Sequence, residues 1–186
     1  MPTIVGHAVF GATLARLRLS GVADGAGAWR ALTLCGAAAM LPDLDVVTFK
    51  LGIPYASPWG HRGFSHSLFF AAAAALVLLW LSRGLWPRLG FSLRAGFVLL
   101  FGVIASHALL DMFTDATHGP ALFMPFSPQR FLLDWRPIEG SPIAPRFWMT
   151  AKGRRVVWTE ALYIGLPCLA LMLACRWRER RKDCAA

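Results

Sequence analysis

The sequence predicts an all-α fold, an integral membrane bundle of four or five transmembrane helices with one long proline-rich outer loop. Hydrophobic residues make up 56% of the 186 residues, charged residues make up only 16%, and the mean hydropathy is +0.52. An ordinary soluble domain carries about 25% charged residues, and a spanning helix needs roughly 20 mostly apolar residues. The composition therefore excludes a disordered chain and argues against a water-soluble globule. The length predicts a single domain over residues 1–186.

Five apolar segments account for this architecture. They are residues 2–15, 31–49, 64–81, 95–112 and 156–175. The first is the shortest, and it is compatible with a short span, a re-entrant piece or an interfacial helix. Stretch 119–145 contains six prolines, which argue against a long helix there, so we expect a long outer loop of functional importance.

The basic residues predict an orientation. If the C-terminal tail, residues 176–186, lies in the cytoplasm, eleven of the 19 Lys and Arg residues fall on that side and eight on the other. The N-terminus then lies outside. The first fourteen residues carry no Lys or Arg, so we expect no cleavable signal. The net charge of +9 fits the flanks of spans, and no aromatic and basic stacking module indicates nucleic-acid binding. The four cysteines predict neither disulfides nor a cysteine metal site.

Every histidine, and every acidic residue that is a candidate for an intramembrane position, falls at the outer end of its segment. The set comprises His7, Asp43, Asp45, His61, His66, His107, Asp111, Asp115, His118 and Glu160. Each has an ordinary reading by itself, such as a hydrogen-bonded core histidine at His7 or an Asp43–Arg62 pair. An ionisable group at mid-helix costs about 2.5–3.5 kcal/mol on insertion scales, so a concentration of such groups indicates a shared purpose.

The spacing of these residues points to a metal centre. His107 and Asp111 are four residues apart on one helix face, as two metal ligands on one helix would be. Asp43 and Asp45 converge if Pro42 unwinds the helix between them. Imidazoles combined with carboxylates suit zinc, manganese or iron. The predicted ligands for one or two divalent ions, with zinc first, are His7, Asp43, Asp45, His61, His66, His107 and Asp111.

Several motifs resemble a known bacterial family. They are Gly6-His7, Leu41-Pro-Asp-Leu-Asp45, Gly60-His-Arg-Gly-Phe-Ser-His-Ser67 and Ser106-His-Ala-Leu-Leu-Asp111. They resemble the membrane-bound predicted metal-dependent hydrolases, one branch of which is described as LexA-binding and inner-membrane-associated. A more distant similarity is to zinc-dependent phospholipase C, whose second helical pair, His-x-x-x-Glu, is absent here. The resemblance covers about residues 7–167 and implies a metal-dependent hydrolase in the bacterial inner membrane.

The expected chemistry is hydrolysis of a phosphoester. A bound metal lowers the pKa of its water toward about 7, and Asp45 or Glu160 is the predicted general base. Arg62 is placed to grip a phosphate oxygen, and Arg130 and Arg136 are further substrate-binding candidates. Because the site lies at the outer ends of spans, near headgroup depth, the predicted substrate is a lipid or lipid-linked phosphoester. The oligomeric state is not readable from the sequence.

Two other classes of function remain open at this point. A metal or proton transporter would need ligands toward mid-membrane and a polar path to the inner side. Segments 71–81 and 95–105 carry no ionisable residue, so the sequence shows no such path. A non-catalytic interaction protein would need an inner surface, and only short basic loops and the tail are available.

Overall fold

The computed structural model describes residues 1–22, 25–141 and 148–183. For residues 182 and 183 it describes the backbone only. Prolines 142 and 145, Arg146, Cys184 and the end of the basic tail lie outside the described residues or side chains. The described part is helical and contains no β-strand. Its α-helices are α1 Ile4–Arg18, α2 Ala26–Met40, α3 Val47–Lys50, α4 Leu68–Leu81, α5 Leu85–Arg88, α6 Leu93–Met112, α7 Ala151–Glu160 and α8 Leu166–Asp183.

Hydroxyl side chains fix where four of the helices begin. Thr3, Ser67, Ser92 and Thr150 each accept a hydrogen bond from a backbone N–H in the first turn of α1, α4, α6 and α7. Such a cap satisfies one of the helix's free N–H groups and is worth about 1 kcal/mol. The caps at Thr3 and Thr150 therefore set the first residues of α1 and α7 at Ile4 and Ala151.

Within the described residues, three helical stretches are long and apolar enough to cross a membrane: Ala26–Lys50, Leu93–Met112 and Ala151–Arg181. The predicted helical membrane bundle is therefore confirmed. Helix α4 is apolar but has only 14 residues, about 21 Å at 1.5 Å per residue. It begins later than the predicted segment 64–81, because Phe64–His66 form a short 3-10 turn before the Ser67 cap. A total of four or five spans stays a prediction.

Two irregular turns interrupt the long helices. After α2 the chain continues as a 3-10 helix, Leu41–Val46, with Pro42 in its first turn. Proline lacks an N–H and clashes with the preceding turn, so the α-helix ends there. The sequence allowed a break or unwinding at Pro42, and the chain instead continues as a tighter 3-10 helix. Between α7 and α8, Ala161–Gly165 form a π-helix. Turns of this kind often occur at functional sites.

Small residues make up more than half of the core and let the helices approach closely. Helix α1 packs on α2 and α6, and α4 packs on α6. A Cβ on Gly11 of α1 would lie 2.6 Å from the Cβ of Ala39 and 2.9 Å from the carbonyl oxygen of Cys35. Close backbone approach through small residues is typical of helices packed in membranes. The core residues are Ala15, Cys35, Ala38, Ala39, Ala71, Ala75, Trp86, Leu100, Val103 and Ile104.

The long loop folds back over the start of α4. The N–H of Ala121 donates to the carbonyl of Arg62, and the N–H of Leu68 donates to the carbonyl of Leu122, both at 2.9 Å. Further along, Thr114 and Ile138 form an isolated parallel β-bridge. The loop is thereby held against the turn that carries His61 and His66.

Candidate metal centre

The structure brings all seven predicted ligand residues to one place between the helices. Their carriers are α1 for His7, the 3-10 helix for Asp43 and Asp45, the turn before α4 for His61 and His66, and α6 for His107 and Asp111. Six of the seven are buried, and Asp45 is largely buried with 7% of its side chain exposed. The centre is thus a buried polar cluster at one end of these helices, next to an apolar core.

Two glycines shape the turn that carries His61 and His66. A Cβ on Gly60 would lie 2.1 Å from the carbonyl oxygen of Pro54, and one on Gly63 would lie 2.1 Å from that of Pro58. Real side chains do not approach a backbone oxygen so closely, so any other residue would push the turn apart. Arg62, between them, adopts φ 63°, in the left-handed region. The compact turn aims both imidazoles at the cluster.

Four candidate metal-ligand atoms, from three segments of the chain, lie close to one another. His66 Nε2 is 3.1 Å from His107 Nε2, 3.2 Å from Asp111 Oδ2 and 3.7 Å from Asp43 Oδ1. His107 Nε2 is 3.3 Å from Asp43 Oδ1 and 3.9 Å from Asp111 Oδ2. Ligands of a tetrahedral metal lie about 3.3 Å apart when each bond is ~2.0–2.1 Å. The five separations are spread around that value.

Hydrogen bonds orient the imidazoles so that these nitrogens are free to bind. His107 Nδ1 donates to the carbonyl oxygen of Ala39 at 2.7 Å, which leaves the lone pair on Nε2. His66 Nδ1 lies 3.2 Å from Asp45 Oδ2 and 3.0 Å from Ser65 Oγ, so its Nε2 is likewise left as an acceptor. Two imidazole lone pairs and two carboxylate oxygens therefore converge. With both imidazoles neutral, four acceptors at these distances repel each other, and a bound cation would offset that repulsion.

Other buried atoms in the cluster also lack hydrogen-bond partners. Among the described residues these include Nδ1 and Nε2 of His7, both carboxylate oxygens of Asp43, and Asp111 Oδ2. Buried polar atoms are almost always paired, so this concentration calls for a bound group. The ring of His7 stacks on that of His107 with centroids 3.6 Å apart, and its Nε2 is 3.8 Å from Asp111 Oδ1. The donor set fits a divalent cation that accepts nitrogen and oxygen ligands.

Three overlapping triads of ligands can be drawn from the cluster. They are His7–Asp43–His107, Asp43–His61–His66 and His66–His107–Asp111, with the ligand atoms of each triad within 4.8 Å of one another. Three protein ligands with an open position are typical of catalytic zinc sites.

Asp45 holds the neighbouring histidines rather than standing free. Its Oδ1 accepts from His61 Nδ1 at 2.5 Å, and its Oδ2 accepts from Ser65 Oγ at 2.5 Å and from the Arg62 N–H at 3.2 Å. Metal-bound histidines commonly donate their second ring nitrogen to a carboxylate in this manner. The ring of Tyr55, 5.2 Å from that of His61, covers the outer side. Burial raises the pKa of Tyr55, so its phenol is neutral.

The Arg62 side chain is fully buried against Asp111. Its Nη2 donates to Asp111 Oδ1 and to Thr114 Oγ1, each at 3.0 Å, and its Nη1 donates to the carbonyl of His118 at 2.9 Å. These bonds orient Asp111 toward the imidazoles. Asp43, which the sequence alone would allow to pair with Arg62, makes no such contact in the described structure.

The two loop arginines lie further out. Arg130 donates to five backbone carbonyls, at 3.0–3.3 Å, and thereby ties the long loop to the turn before α4. Arg136 is exposed and donates to the carbonyl of Ala116 at 3.3 Å. The contacts of Arg130 are those of a residue that holds the loop, and its side chain is half-buried, whereas Arg136 is exposed.

Glu160 is separated from the cluster by its own contacts. Its Oε1 accepts from the backbone N–H of Thr3, and its Oε2 accepts from Thr3 Oγ1 at 2.6 Å. Thr3 is the N-cap of α1, so Glu160 joins the last turn of α7 to the start of α1. The carboxylate predicted as a general base holds the helix that carries His7.

Sequence reasoning missed Thr114 and Ser65 as partners of the centre. Thr114 lies three residues after Asp111, so an extension of the helix periodicity by one turn would have found it. Ser65 lies inside the His61–His66 motif, and no periodic signal marks it because the turn is irregular.

Comparison with known proteins places the chain in a family. The profile of a family described as YdjM inner membrane protein matches residues 1–182. The chain belongs to the YdjM inner membrane protein family. Among curated relatives of this YdjM-family protein is "Inner membrane protein YbcI" of Escherichia coli (strain K12), which is 38% identical over 142 residues, covering 76% of this chain and 80% of that protein. No solved structure matches the chain. These YdjM-family descriptions give a location, the inner membrane, and name no metal, substrate or activity.

Proposed function

We propose that this protein is a membrane-bound metal-dependent hydrolase, a phosphoesterase that acts on a lipid or lipid-linked phosphoester. The observation that carries the proposal is the convergence of four acceptor atoms, from Asp43, His66, His107 and Asp111, at separations of 3.1–3.9 Å. Structural polar clusters pair donors with acceptors, whereas this one gathers acceptors when its imidazoles are neutral. A cation resolves the conflict, and the nitrogen and oxygen set suits zinc first, then manganese or iron.

The cluster would hold one or two ions. In the arrangement with two, His7, His107 and Asp43 hold one ion while His61, His66 and Asp43 hold the other. Asp43 is the sole residue shared by these triads, and both of its oxygens lack a hydrogen-bond partner, as a bridging carboxylate requires. In the arrangement with one, His66, His107 and Asp111 suffice. With neutral histidines, the cluster carries a net charge of −2, which a single divalent ion would already neutralise. The charges counted are those of Asp43, Asp45, Asp111 and Arg62.

The protein's own residues would prepare the reaction. A bound divalent ion supplies an activated water and polarises a phosphoryl oxygen. Asp45 holds the rings of His61 and His66 and remains the proposed proton acceptor at the edge of the donor set. Arg62 fixes Asp111 through a buried ion pair. Arg136, an exposed arginine of the long loop, is the candidate to bind the negative charge of a substrate. Glu160 keeps α1, and with it His7, in place.

The proposed setting is a multi-pass protein with its centre near the periplasmic face. The cluster is drawn from one end of α1, α2 and α6, while Arg16, Arg18 and Arg94 lie at the opposite helix ends. Basic residues favour the cytoplasmic side, so the cluster end faces outward. There the reacting phosphate of a lipid lies near headgroup depth, which supports the choice of substrate.

The apolar core supports hydrolysis over transport of a metal or proton. A transporter needs a polar route beyond the site, toward the other face. Below His107, the described core contains Leu100, Val103 and Ile104 from α6, with Ala71 and Ala75 from α4. No ionisable side chain interrupts these described positions, so a route is lacking where one would be required.

The test compares metal content and hydrolysis in two histidine variants. His107→Ala removes a central donor, and His118→Ala removes an exposed histidine outside the triads. We expect purified wild type and His118→Ala to carry one or two equivalents of zinc or manganese, measured by elemental analysis. His107→Ala should lose metal affinity by about 100-fold or more, since even outer-shell changes cost 10–100-fold. Phosphate release from phospholipid and isoprenoid-phosphate panels should follow the metal. Equal metal in all three proteins, or no turnover on any substrate, would overturn the proposal.

A further inference from the structure

An apolar cavity lies beside the metal centre, between α1 and the α7–α8 helix. Its volume is about 540 Å³, within the ~300–1,000 Å³ range of ligand pockets. Its apolar lining includes Ile4, Val5, Val9, Val46, Val157 and Ile164. Of its polar lining residues, Thr3 and Glu160 are bonded to each other, so the walls offer a mainly hydrocarbon surface.

The cavity opens sideways, toward the surroundings of the bundle. Val5 is 68% exposed and Val157 is 57% exposed, and both line the cavity. In a protein of an inner membrane family, such an apolar lateral opening on a helix long enough to span meets lipid rather than water. The surrounding medium therefore supplies hydrocarbon chains directly to this opening.

The first turn of α1 and the 3-10 helix after α2 each contribute both to the cavity wall and to the metal centre. Gly6 lines the cavity and directly precedes His7, and Val46 lines it and directly follows Asp45. Gly6 has little spare room, because a Cβ there would lie 2.9 Å from Glu160 Oε2 and 3.4 Å from Ile164 Cδ1. A chain lying along this wall would have its polar end next to the donor set.

We propose that this cavity binds an acyl chain of a membrane phospholipid and so brings the lipid's phosphate to the centre. The chain site follows from the cavity, its apolar lining and its lateral opening. The orientation of the phosphate toward the ligands rests on the proposed function.

A matched pair of glycine variants tests the chain site. Gly165 lines the cavity, and a Cβ there would meet only the carbonyl oxygen of Glu160, at 3.8 Å, within 4 Å. Gly165→Leu therefore puts an isobutyl group into the cavity without a backbone clash. Gly102 of α6 also has no atom within 4 Å of an added Cβ, and it does not line this cavity. Gly102→Leu is thus a control with the same added volume on another helix.

The probe is phosphatidic acid with a diazirine near the end of one acyl chain, present in trace amounts in phosphatidylglycerol nanodiscs with EDTA. After illumination, mass spectrometry measures labelling of α1 and α7 relative to labelling of α4 in the same sample. We expect Gly165→Leu to lower this ratio about fivefold or more, because a filled pocket excludes its ligand, and Gly102→Leu to leave it unchanged. Equal ratios in wild type and both variants would overturn the chain site.

A second readout separates this proposal from the proposed hydrolysis. In the presence of zinc, Gly165→Leu should hydrolyse p-nitrophenyl phosphate, a soluble phosphomonoester without an acyl chain, like wild type. Its KM for long-chain phosphatidic acid should rise about tenfold, or 1.4 kcal/mol. Cavity labelling without turnover by any of the proteins would overturn the hydrolase and leave the chain site standing. If both variants hydrolyse each of the two substrates with the same kinetics as wild type, the chain site is overturned and the hydrolase stands.

Discussion

Neutralising Asp111 should destabilise the protein even when no metal is present, because Arg62 would be left as an unpaired buried charge. The two side chains are fully buried, with Nη2 and Oδ1 3.0 Å apart. Two unit charges at that distance attract by about 5–6 kcal/mol at an effective dielectric constant of ~20. Removal of one partner of a buried pair commonly costs about 3–5 kcal/mol, and we expect Asp111→Asn to fall in this range. Arg62 would keep its bonds to Thr114 and the His118 carbonyl, and loss of one negative charge from the metal-free cluster would relieve repulsion among its acceptors. Both effects argue for the lower end of the range.

The assay is a double-mutant cycle in EDTA. The free energy of unfolding in mixed micelles is measured for wild type, Asp111→Asn, Arg62→Met and the double variant, with folded content checked by circular dichroism. Because the second substitution removes the charge that the first leaves unpaired, the double variant should lose less than the sum of the singles by about 2–3 kcal/mol. Additive losses, or a loss below about 1 kcal/mol for Asp111→Asn, would refute a structural Arg62–Asp111 pair.

The remaining predictions concern the turn that carries His61 and His66 and the cap of α4 that follows it. Gly63→Ala should abolish metal binding in an elemental assay, because the new Cβ would lie 2.1 Å from the Pro58 oxygen, whereas Gly84→Ala, with no atom within 4 Å, should bind metal like wild type. Equal metal contents in the two variants would contradict the close-approach argument. Ser67→Ala should cost about 1 kcal/mol in unfolding, since its Oγ caps α4 by accepting from the Phe70 N–H, and should keep its metal. Loss of metal in this variant would mean that the cap also positions His66.

The helical part of the site was predictable because its geometry is periodic. His107 and Asp111, one turn apart on α6, face the same cluster, as their spacing requires. The end of the regular α-helix at Pro42 was also predictable, because a missing N–H has a local effect whatever the rest of the fold. Hydropathy located the helices but not their ends. Helix α7 begins at Ala151, after the Thr150 cap and through two charged turns, well before the apolar run at 156.

The roles of the arginines and of Glu160 were not predictable, because they depend on contacts between distant parts of the chain. Arg130 binds carbonyls some 70 residues away, including those of Tyr55 and His61, and nothing local in the sequence marks those acceptors. Glu160 meets Thr3 across 157 residues. A charged residue near a predicted site is therefore weak evidence for contact with substrate, since the same residue can hold the surrounding loops and helices.

The packing of small residues and the geometry of the centre depend on each other. Gly11 lets α1 approach Ala39 of α2, and it lies one turn after His7 on the same helix face. The carbonyl of Ala39 is in turn the acceptor that fixes the His107 ring, on which His7 stacks. A side chain at position 11 would separate the helices and so move His7 away from His107, although it touches neither ring. The close approach of α1 and α2 thus sets the distance between two of the ligands, and the centre requires this particular packing as much as it requires its histidines and carboxylates.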